Sequence, residues 1–342
     1  MNRDPRALQR RRMSRRRPRW GRRVLILVVL IAAGGFFAHD SIRRAFEKNS
    51  TCGWTVRGDL VLDRDVVDCD HHGVRLAPFA KLDCAGHEIR AREGGASGYG
   101  VRLDNVEQTQ VRNCRISGFS RGVRIRGGRQ NGVVGNEVSG NGYGIEVSGA
   151  TDGGRSGAHR ISGNRVIDSA RDGIHIGAGT ANTLIQENTV IGSGEEGIVI
   201  ESCRKCEVTG NTIERSGSAA IDLKDSISGR FLRNSVRGSL VKVRGGSVRN
   251  LFEDNDLVDS GYVFAAAAAA AEGEASGIPS LNRVVGGSVR ESKVCFRFRG
   301  AHDNSVADVQ VDSCELRKDG PGGGSEASRN HLSGVDVGQA GR

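Results

Sequence analysis

A phrase of a hydrophobic residue, two variable residues, Asn, one variable residue and a second hydrophobic residue recurs six times in this chain. It reads Val133-Val-Gly-Asn136-Glu-Val138, Ile161-Ser-Gly-Asn164-Arg-Val166 and Ile185-Gln-Glu-Asn188-Thr-Val190. It continues as Val208-Thr-Gly-Asn211-Thr-Ile213, Phe231-Leu-Arg-Asn234-Ser-Val236 and Phe252-Glu-Asp-Asn255-Asp-Leu257. The Asn-to-Asn steps are 28, 24, 23, 23 and 21 residues. Self-similarity at this period means one structural unit stacked many times.

A second phrase keeps step with the first: Gly100-Val-Arg-Leu103, Gly122-Val-Arg-Ile125, Gly144-Ile-Glu-Val147, Gly173-Ile-His-Ile176 and Gly197-Ile-Val-Ile200. Ala220-Ile-Asp-Leu223 and Leu240-Val-Lys-Val243 extend the series. Alternating apolar residues mark strands with one buried face, and the leading Gly suits a crowded bend. Each unit reads as two short strands joined by turns, with no room for the crossover helix of a doubly wound fold. The expectation is an all-β, single-stranded, right-handed parallel β-helix of about ten coils. In it Asn136, Asn164, Asn188, Asn211, Asn234 and Asn255 form a ladder of carboxamides, each donating to one neighbour and accepting from another.

The net charge of +10 is concentrated at one end. Residues 1–23 hold eleven arginines and one acid, Asp4; the rest has 39 basic and 39 acidic residues (50 − 11 and 40 − 1). The body of the chain lacks the basic excess of a nucleic-acid binder, and no nucleic-acid partner is expected. The arginines lead into an apolar run, Val24–Ala38. As a helix it spans about 22 Å, so Trp20 and the arginines must extend it towards the membrane interfaces by snorkelling. It is expected to be an uncleaved signal-anchor in the inner membrane, although a cleaved secretory signal shares its composition. Either way the chain beyond about residue 39 faces the periplasm, because the arginines stay in the cytoplasm. The domain plan is a basic tail (1–23), an anchor helix (24–38), a linker (39–51) and a β-helix (52–337), then a frayed tail (338–342). An insert at about 265–280 carries the run Ala265–Ala271, and Gly320–Gly324 forms a bulge.

Eight cysteines in an exported chain predict disulfides. Proximity suggests Cys52–Cys69, Cys84–Cys114, Cys203–Cys206 and Cys295–Cys314, out of 105 pairings. Spacing places Cys114 and Cys314 in the Asn column. Cys203-Arg-Lys-Cys206 is read as a turn staple rather than a redox or metal motif, since it lacks a second CxxC and a helix.

Cys52…Cys69, Leu82-Asp-Cys-Ala-Gly-His-Glu-Ile89 and the repeated Gly-Ile-x-Ile and Asn-x-Val phrases resemble the right-handed parallel β-helix repeat proteins, similar to pectate lyases. That superfamily includes polysaccharide lyases, alginate C5-epimerases, some glycoside hydrolases and a copper-handling accessory protein. The resemblance covers roughly residues 52–337 and implies extracytoplasmic work on or near polysaccharide. The epimerase Asp-Pro-His-Asp signature and the polygalacturonase patterns are absent, so it transfers no catalytic residue.

In each Gly-Ile-x-Ile strand the middle residue points outward. Stacking aligns Arg102, Arg124, Glu146, His175, Val199, Asp222 and Lys242 in one row, and Asp104, Arg126, Ser148, Gly177, Glu201, Lys224 and Arg244 in a second. Tyr99, Tyr143 and Asp172 lie just before the strands. Arginines suit the carboxylates of an acidic sugar chain and tyrosines pack on sugar rings. The expected substrate-binding set is Arg102, Arg126, Glu146, Asp172, Asp222, Lys224, Lys242 and Arg244. Mixed charges on an exposed strand face also serve solubility and pair across coils. The first reading is a β-helix that binds or guides acidic polysaccharide, or scaffolds envelope assembly proteins. The second is a polyuronate lyase or C5-epimerase in which Arg124 neutralises the substrate, His175 is the base and Tyr143 the acid. Asp172 orients His175 if the chain bends at Gly173. Glu146 and Asp222 lie about 14 Å apart, too far for a hydrolase pair. The third is a metal-handling accessory, disfavoured for copper because Met1 and Met13 are the only methionines and lie in the cytoplasmic tail. No cofactor is predicted, save Ca²⁺ in the lyase case, and no residue is assigned to a metal.

Overall fold

Three strands make up each coil. The computed structural model describes residues 52–150, 156–266, 277–312, 314–319 and 329–338. Among these, three parallel sheets of 12 strands each wind as a right-handed solenoid of about 11 turns, one more than the repeats predict. The predicted tail, anchor, linker, glycine bulge and frayed residues 339–342 lie outside the described residues, as does most of the insert. One coil runs Glu196–Glu201 in the first sheet, Glu207–Thr209 in the second and Thr212–Glu214 in the third, returning to the first at Ala219–Lys224. The two-strand unit is therefore corrected. The Asn phrase straddles a corner, with Val208 in the second sheet, Ile213 in the third and Asn211 at the bend.

Identical positions stack. Ile174, Ile198 and Ile221 align in the first sheet, Ile185, Val208 and Phe231 in the second, and Val190, Ile213 and Val236 in the third. All nine side chains are buried, each contributing about 1.5–3 kcal/mol of transfer free energy. Towards the C-terminus the core turns aromatic, with Phe231 stacked on Phe252 at 4.6 Å and Phe264 on Phe298 at 5.1 Å between ring centroids. The leading Gly of the strand phrase has a steric cause. A Cβ on Gly197 would lie 2.4 Å from Ile213 Cγ2 and 2.6 Å from the carbonyl oxygen of Ala220.

The Asn column runs unbroken from Asn136 to Asn255. Asn188 Nδ2 donates to Asn211 Oδ1 at 2.9 Å and to the Ile161 carbonyl at 3.0 Å. Its Oδ1 accepts from the backbone N–H and the Nδ2 of Asn164, both at 2.9 Å. The carboxamide thus makes four hydrogen bonds in a site sealed from water. The residue before each Asn takes a left-handed conformation, whether Gly210 (φ 63°), Glu187 (φ 54°) or Arg233 (φ 50°). A non-glycine residue there costs about 1–2 kcal/mol, which the buried hydrogen bonds offset. At the foot of the column Cys114 N–H donates to Asn136 Oδ1, and Cys114 is disulfide-bonded to Cys84 one coil below.

A second ladder, absent from the sequence reading, occupies the corner between the first and second sheets. Asn250, Asn282, Asn304 and Asn330 are joined through Nδ2–Oδ1 bonds of 2.9–3.0 Å. The first ladder stops where the second starts, since the position after Asn255 is Gly287, whose Cβ would stand 2.2 Å from the Asn255 carbonyl. Earlier in this second column sits His159, which is buried. Its Nδ1 faces the N–H of Asn131 at 3.4 Å and its Nε2 the Ser156 hydroxyl at 3.2 Å.

All four proximity pairings are disulfides in the structure: Cys52–Cys69, Cys84–Cys114, Cys203–Cys206 and Cys295–Cys314. One placement is corrected. Cys314 lies at the corner from the third sheet back to the first, after Gln310–Asp312 and before Glu315–Asp319. Val309, two residues before the core residue Val311, takes the Asn position of that coil.

Replacing Asn188 or Asn211 by Ala is expected to cost about 1–3 kcal/mol, because buried partners lose their bonds. Chemical denaturation of each variant measures this, and wild-type stability in both would refute the ladder's role. His159 generates a pH-dependent prediction. Burial pushes its imidazole down to about 4, so between about pH 6.5 and 4 the unfolded chain binds a proton that the folded chain excludes. Stability from this site is complete above about pH 6.5 and declines by up to about 3 kcal/mol as pH falls to 4. His159→Asn retains an acceptor for Asn131, so denaturation curves at pH 7 and 4.5 should converge for the variant. An equal loss in both proteins would exonerate His159.

Candidate functional site on the first sheet

The outward rows form as the alternation predicts. Arg102, Arg124, Glu146, His175, Val199, Asp222 and Lys242 are successive register partners across the first sheet. A third row along their edge aligns Tyr99, Arg121 and Tyr143. Asp172 and Glu196 follow in this row, each two residues before the register partners Ile174 and Ile198.

Towards the N-terminal end the rows make a half-buried lattice of arginines and tyrosines. The guanidinium carbons of Arg102, Arg121 and Arg124 lie 5.5, 5.8 and 4.9 Å from the centre of the Tyr99 ring. Those of Arg121 and Arg171 lie 5.2 and 4.8 Å from the centre of Tyr143. Arg124 Nη1 donates to the Tyr99 hydroxyl. Glu146 Oε2 is 2.5 Å from Arg121 Nε and 3.4 Å from Arg124 Nε. Asp104 pairs with Arg102 and lies 3.6 Å from Arg126 Nε. Such cation–π contacts contribute about 0.5–2 kcal/mol each, more where water is excluded.

The middle of the sheet carries the titratable cluster. His175 Nδ1 is 2.7 Å from Asp172 Oδ2. A straight strand would place these two on opposite faces, and the bend at Gly173 brings them to one. The Tyr143 ring meets His175 edge-on, with centroids 5.9 Å apart. Asp172 is buried. Desolvation acts to raise its pKa, but hydrogen bonds from His175 and from the Glu196 backbone N–H outweigh it and leave the carboxyl below its ordinary range. Glu196 is displaced upward, by burial and then by the negative charges of Asp172 and Asp222. Burial likewise pushes the Tyr143 phenol up. Glu195 completes a carboxylate group with Asp172 and Glu196, their oxygens all within 4.8 Å of one another, and both its oxygens accept from Arg171 Nε at 3.1 Å.

The remaining predicted residues are also held by partners. Asp222 is almost fully enclosed and held bidentately by Arg244, with Arg244 Nε donating at 2.7 Å and 3.0 Å. Lys224 Nζ bonds Glu201 at 2.6 Å, and Lys242 Nζ bonds the Ser218 hydroxyl at 2.9 Å. The structure thus gathers Tyr143, His175, Asp172, Glu146 and Arg124 on neighbouring strands and leaves Asp222, Lys224, Lys242 and Arg244 further along. Arg121, Arg171, Glu195 and Glu196 escaped the sequence reading. Arg121 and Glu196 occupy the same pre-glycine position as Tyr99, Tyr143 and Asp172, a signal present in the repeat.

The sequence model of the family described as "Periplasmic copper-binding protein (NosD)" matches residues 83–271. A crystal structure of a mutant periplasmic alginate epimerase AlgG aligns with a TM-score of 0.51 and 14% identity over 74% of this chain and 73% of that one. DFA-IIIase from Arthrobacter chlorophenolicus A6 aligns with a TM-score of 0.48 and 11% identity over 73% of this chain and 70% of that one. At 14% identity the likeness to the epimerase is one of fold. No curated protein matches the sequence.

Proposed function

The chain belongs to the NosD family, and from the face of its first sheet we propose that it is an extracytoplasmic β-helix protein that binds acidic polysaccharide. The observation that carries this is the arginine–tyrosine lattice around Tyr99 and Tyr143. Around Tyr99, four guanidiniums (Arg102, Arg121, Arg124, Arg126) are paired with two carboxylates (Asp104, Glu146). The local excess is positive in a body whose overall charge is neutral. A polyanion whose carboxylates are spaced along an extended chain can exchange with the internal partners, arginine meeting each carboxylate bidentately. The aromatic faces suit the apolar faces of sugar rings. Four disulfides fit an oxidising compartment. An anchor at residues 24–38 ahead of a 52–337 β-helix would hold this face on the periplasmic side of the inner membrane, within reach of envelope polymers or assembly proteins.

The family description names copper, and the described residues do not fit it. They contain no methionine, and every cysteine is disulfide-bonded. The candidate cluster of metal-ligand residues is three carboxylates, Asp172, Glu195 and Glu196, hard oxygen donors rather than soft ones. His159 is enclosed in a corner column, and His175, with Nδ1 beside Asp172, has neither a methionine nor a reduced cysteine among the described residues to join it as a soft ligand. No step is assigned to copper.

Retarded migration of the protein in gels containing polyuronate, but not dextran, is the expected result. Arg121→Ala with Arg124→Ala should weaken binding about tenfold at low salt, equivalent to about 1.4 kcal/mol, and added salt should weaken the wild type steeply. No retardation by any polyuronate would overturn the proposal. Elemental analysis after equilibration with cuprous ion and gel filtration should find substoichiometric copper, whereas one retained ion per chain would contradict the donor analysis.

A further inference from the structure

The convex corner between the first and second sheets carries a ridge that neither the core nor the candidate site uses. Register aligns Arg204, Ile227, Val248 and Ser280 in one column along it. The next residue in each coil is Lys205, Ser228, Arg249 or Leu281, at φ 58°, 57°, 57° and 56°. Leu281 is 46% exposed and Ile278, three residues before it, 39%, two of the four exposed large hydrophobic side chains among the described residues. A leucine in the left-handed conformation carries a steric cost, and in water a hydration cost as well. Folding stability therefore does not account for it, and such an outlier points to use by a ligand or partner. Ile227, Val248 and Leu251, all half-buried, continue the apolar surface. Cations surround it. Arg204, Lys205, Arg249 and Arg283 are exposed and make no ion pair or side-chain hydrogen bond among the described residues, and Arg230 reaches Glu207 only at 4.0 Å. Across the four successive turns 202–207, 225–230, 245–251 and 277–283, these five cations face two acids, Glu207 and Asp225. Asp225 Oδ1 already accepts from the Gly246 N–H at 2.7 Å.

We propose that this ridge docks the β-helix against an anionic phospholipid bilayer, with Ile278 and Leu281 entering the headgroup boundary and the unpaired cations lying over lipid phosphates. The proposal concerns a different face from the polysaccharide-binding reading and stands without it. Three observations favour a bilayer. The corner is convex, so it meets a flat surface along a line and offers no groove to a peptide or helix. Aliphatic tips interleaved with Lys and Arg are the combination that holds peripheral elements at an interface, the apolar part by burial and the basic part by attraction to anionic lipid. A soluble polyanion would engage the cations and leave Ile278 and Leu281 in water. The ridge runs along the stacking direction, and four coils at the strand spacing extend it over roughly 15–20 Å. The docked solenoid therefore lies along the bilayer rather than standing on it, and the face carrying Tyr99 and Tyr143 opens to the side.

The test places the full chain in nanodiscs of phosphatidylcholine, with and without phosphatidylglycerol, and reads tryptophan quenching by lipids brominated on their acyl chains. Leu281→Trp puts a reporter on the ridge, and Ile278→Trp serves as a second should the left-handed position reject the larger ring. Thr189→Trp, on the third sheet across the coil from this corner, is the control. Quenching is taken as the excess over the wild type, which carries Trp20 and Trp54. The ridge tryptophan is expected to be quenched in discs containing phosphatidylglycerol and the control to be spared. Combining Arg204→Ser, Lys205→Ser and Arg249→Ser with the reporter should lower that quenching about tenfold, with melting and retardation by polyuronate unchanged. Added salt should lower it as well. An unquenched ridge in both lipid compositions would overturn the proposal, as would equal quenching at positions 189 and 281 or full quenching in the triple variant. Loss of polyuronate retardation in the triple variant, with position 281 unquenched, would overturn it in favour of a second polyanion site.

Discussion

Each coil must satisfy its backbone polar groups where the chain turns, and at a buried corner water cannot help. Asn solves this through the geometry of its side chain: one oxygen accepts twice and one NH₂ donates twice, all along the stacking direction. Asn164, Asn188, Asn211 and Asn234 each bond the carboxamide above and below as well as a carbonyl of the preceding coil. The strands on either side of the corner are only three residues long, too short to fix their own register. The carboxamide column fixes it for them. Alignment of the outward rows, and with it every relationship in the candidate site, follows from that.

The site inherits its precision from the same stacking. His175 and Asp172 come together because Gly173 bends the chain just before the strand, and the next coil locks the bend through the Gly173 N–H bond to the Glu196 carbonyl. Tyr143 and Glu146 arrive from the coil before, and Glu196 from the coil after. Among the described residues, strands and the turns beside them suffice to build the arrangement. The side chains stand on successive strands of one sheet, so the backbone positions them before a ligand arrives.

The outward rows and the first Asn ladder were legible in the sequence because one letter repeats at one position. The second corner was not, since its column reads Thr109, Asn131, His159, Thr183, Cys206 and Gly229 before settling on Asn250. Chemically different residues fill that place, and only stacking reveals their common role. The third sheet was hidden for a different reason, as Asn211 joins two strands that a linear reading merges into one phrase. Within the site, alternation placed His175, Arg124 and Glu146 on the correct face. Contacts between coils were beyond it. Arg171 reaching over Tyr143 and Arg244 closing on Asp222 depend on long side chains whose direction the backbone period does not set.

Asn250 and Asn255 lie five residues apart in the same coil, one opening the second ladder and the other ending the first. For that one coil both tracks run side by side, so the transfer from one corner to the other leaves no rung empty. A solenoid behaves as a chain of nearest-neighbour couplings, and such an overlap lets two arrays with different corner habits be joined end to end without a fault at the seam. The coil around residues 250–255 is thus a splice. Lengthening, shortening or exchanging the portion beyond it leaves the portion that carries the site mechanically unchanged, which gives this architecture a natural place at which to grow by recombination.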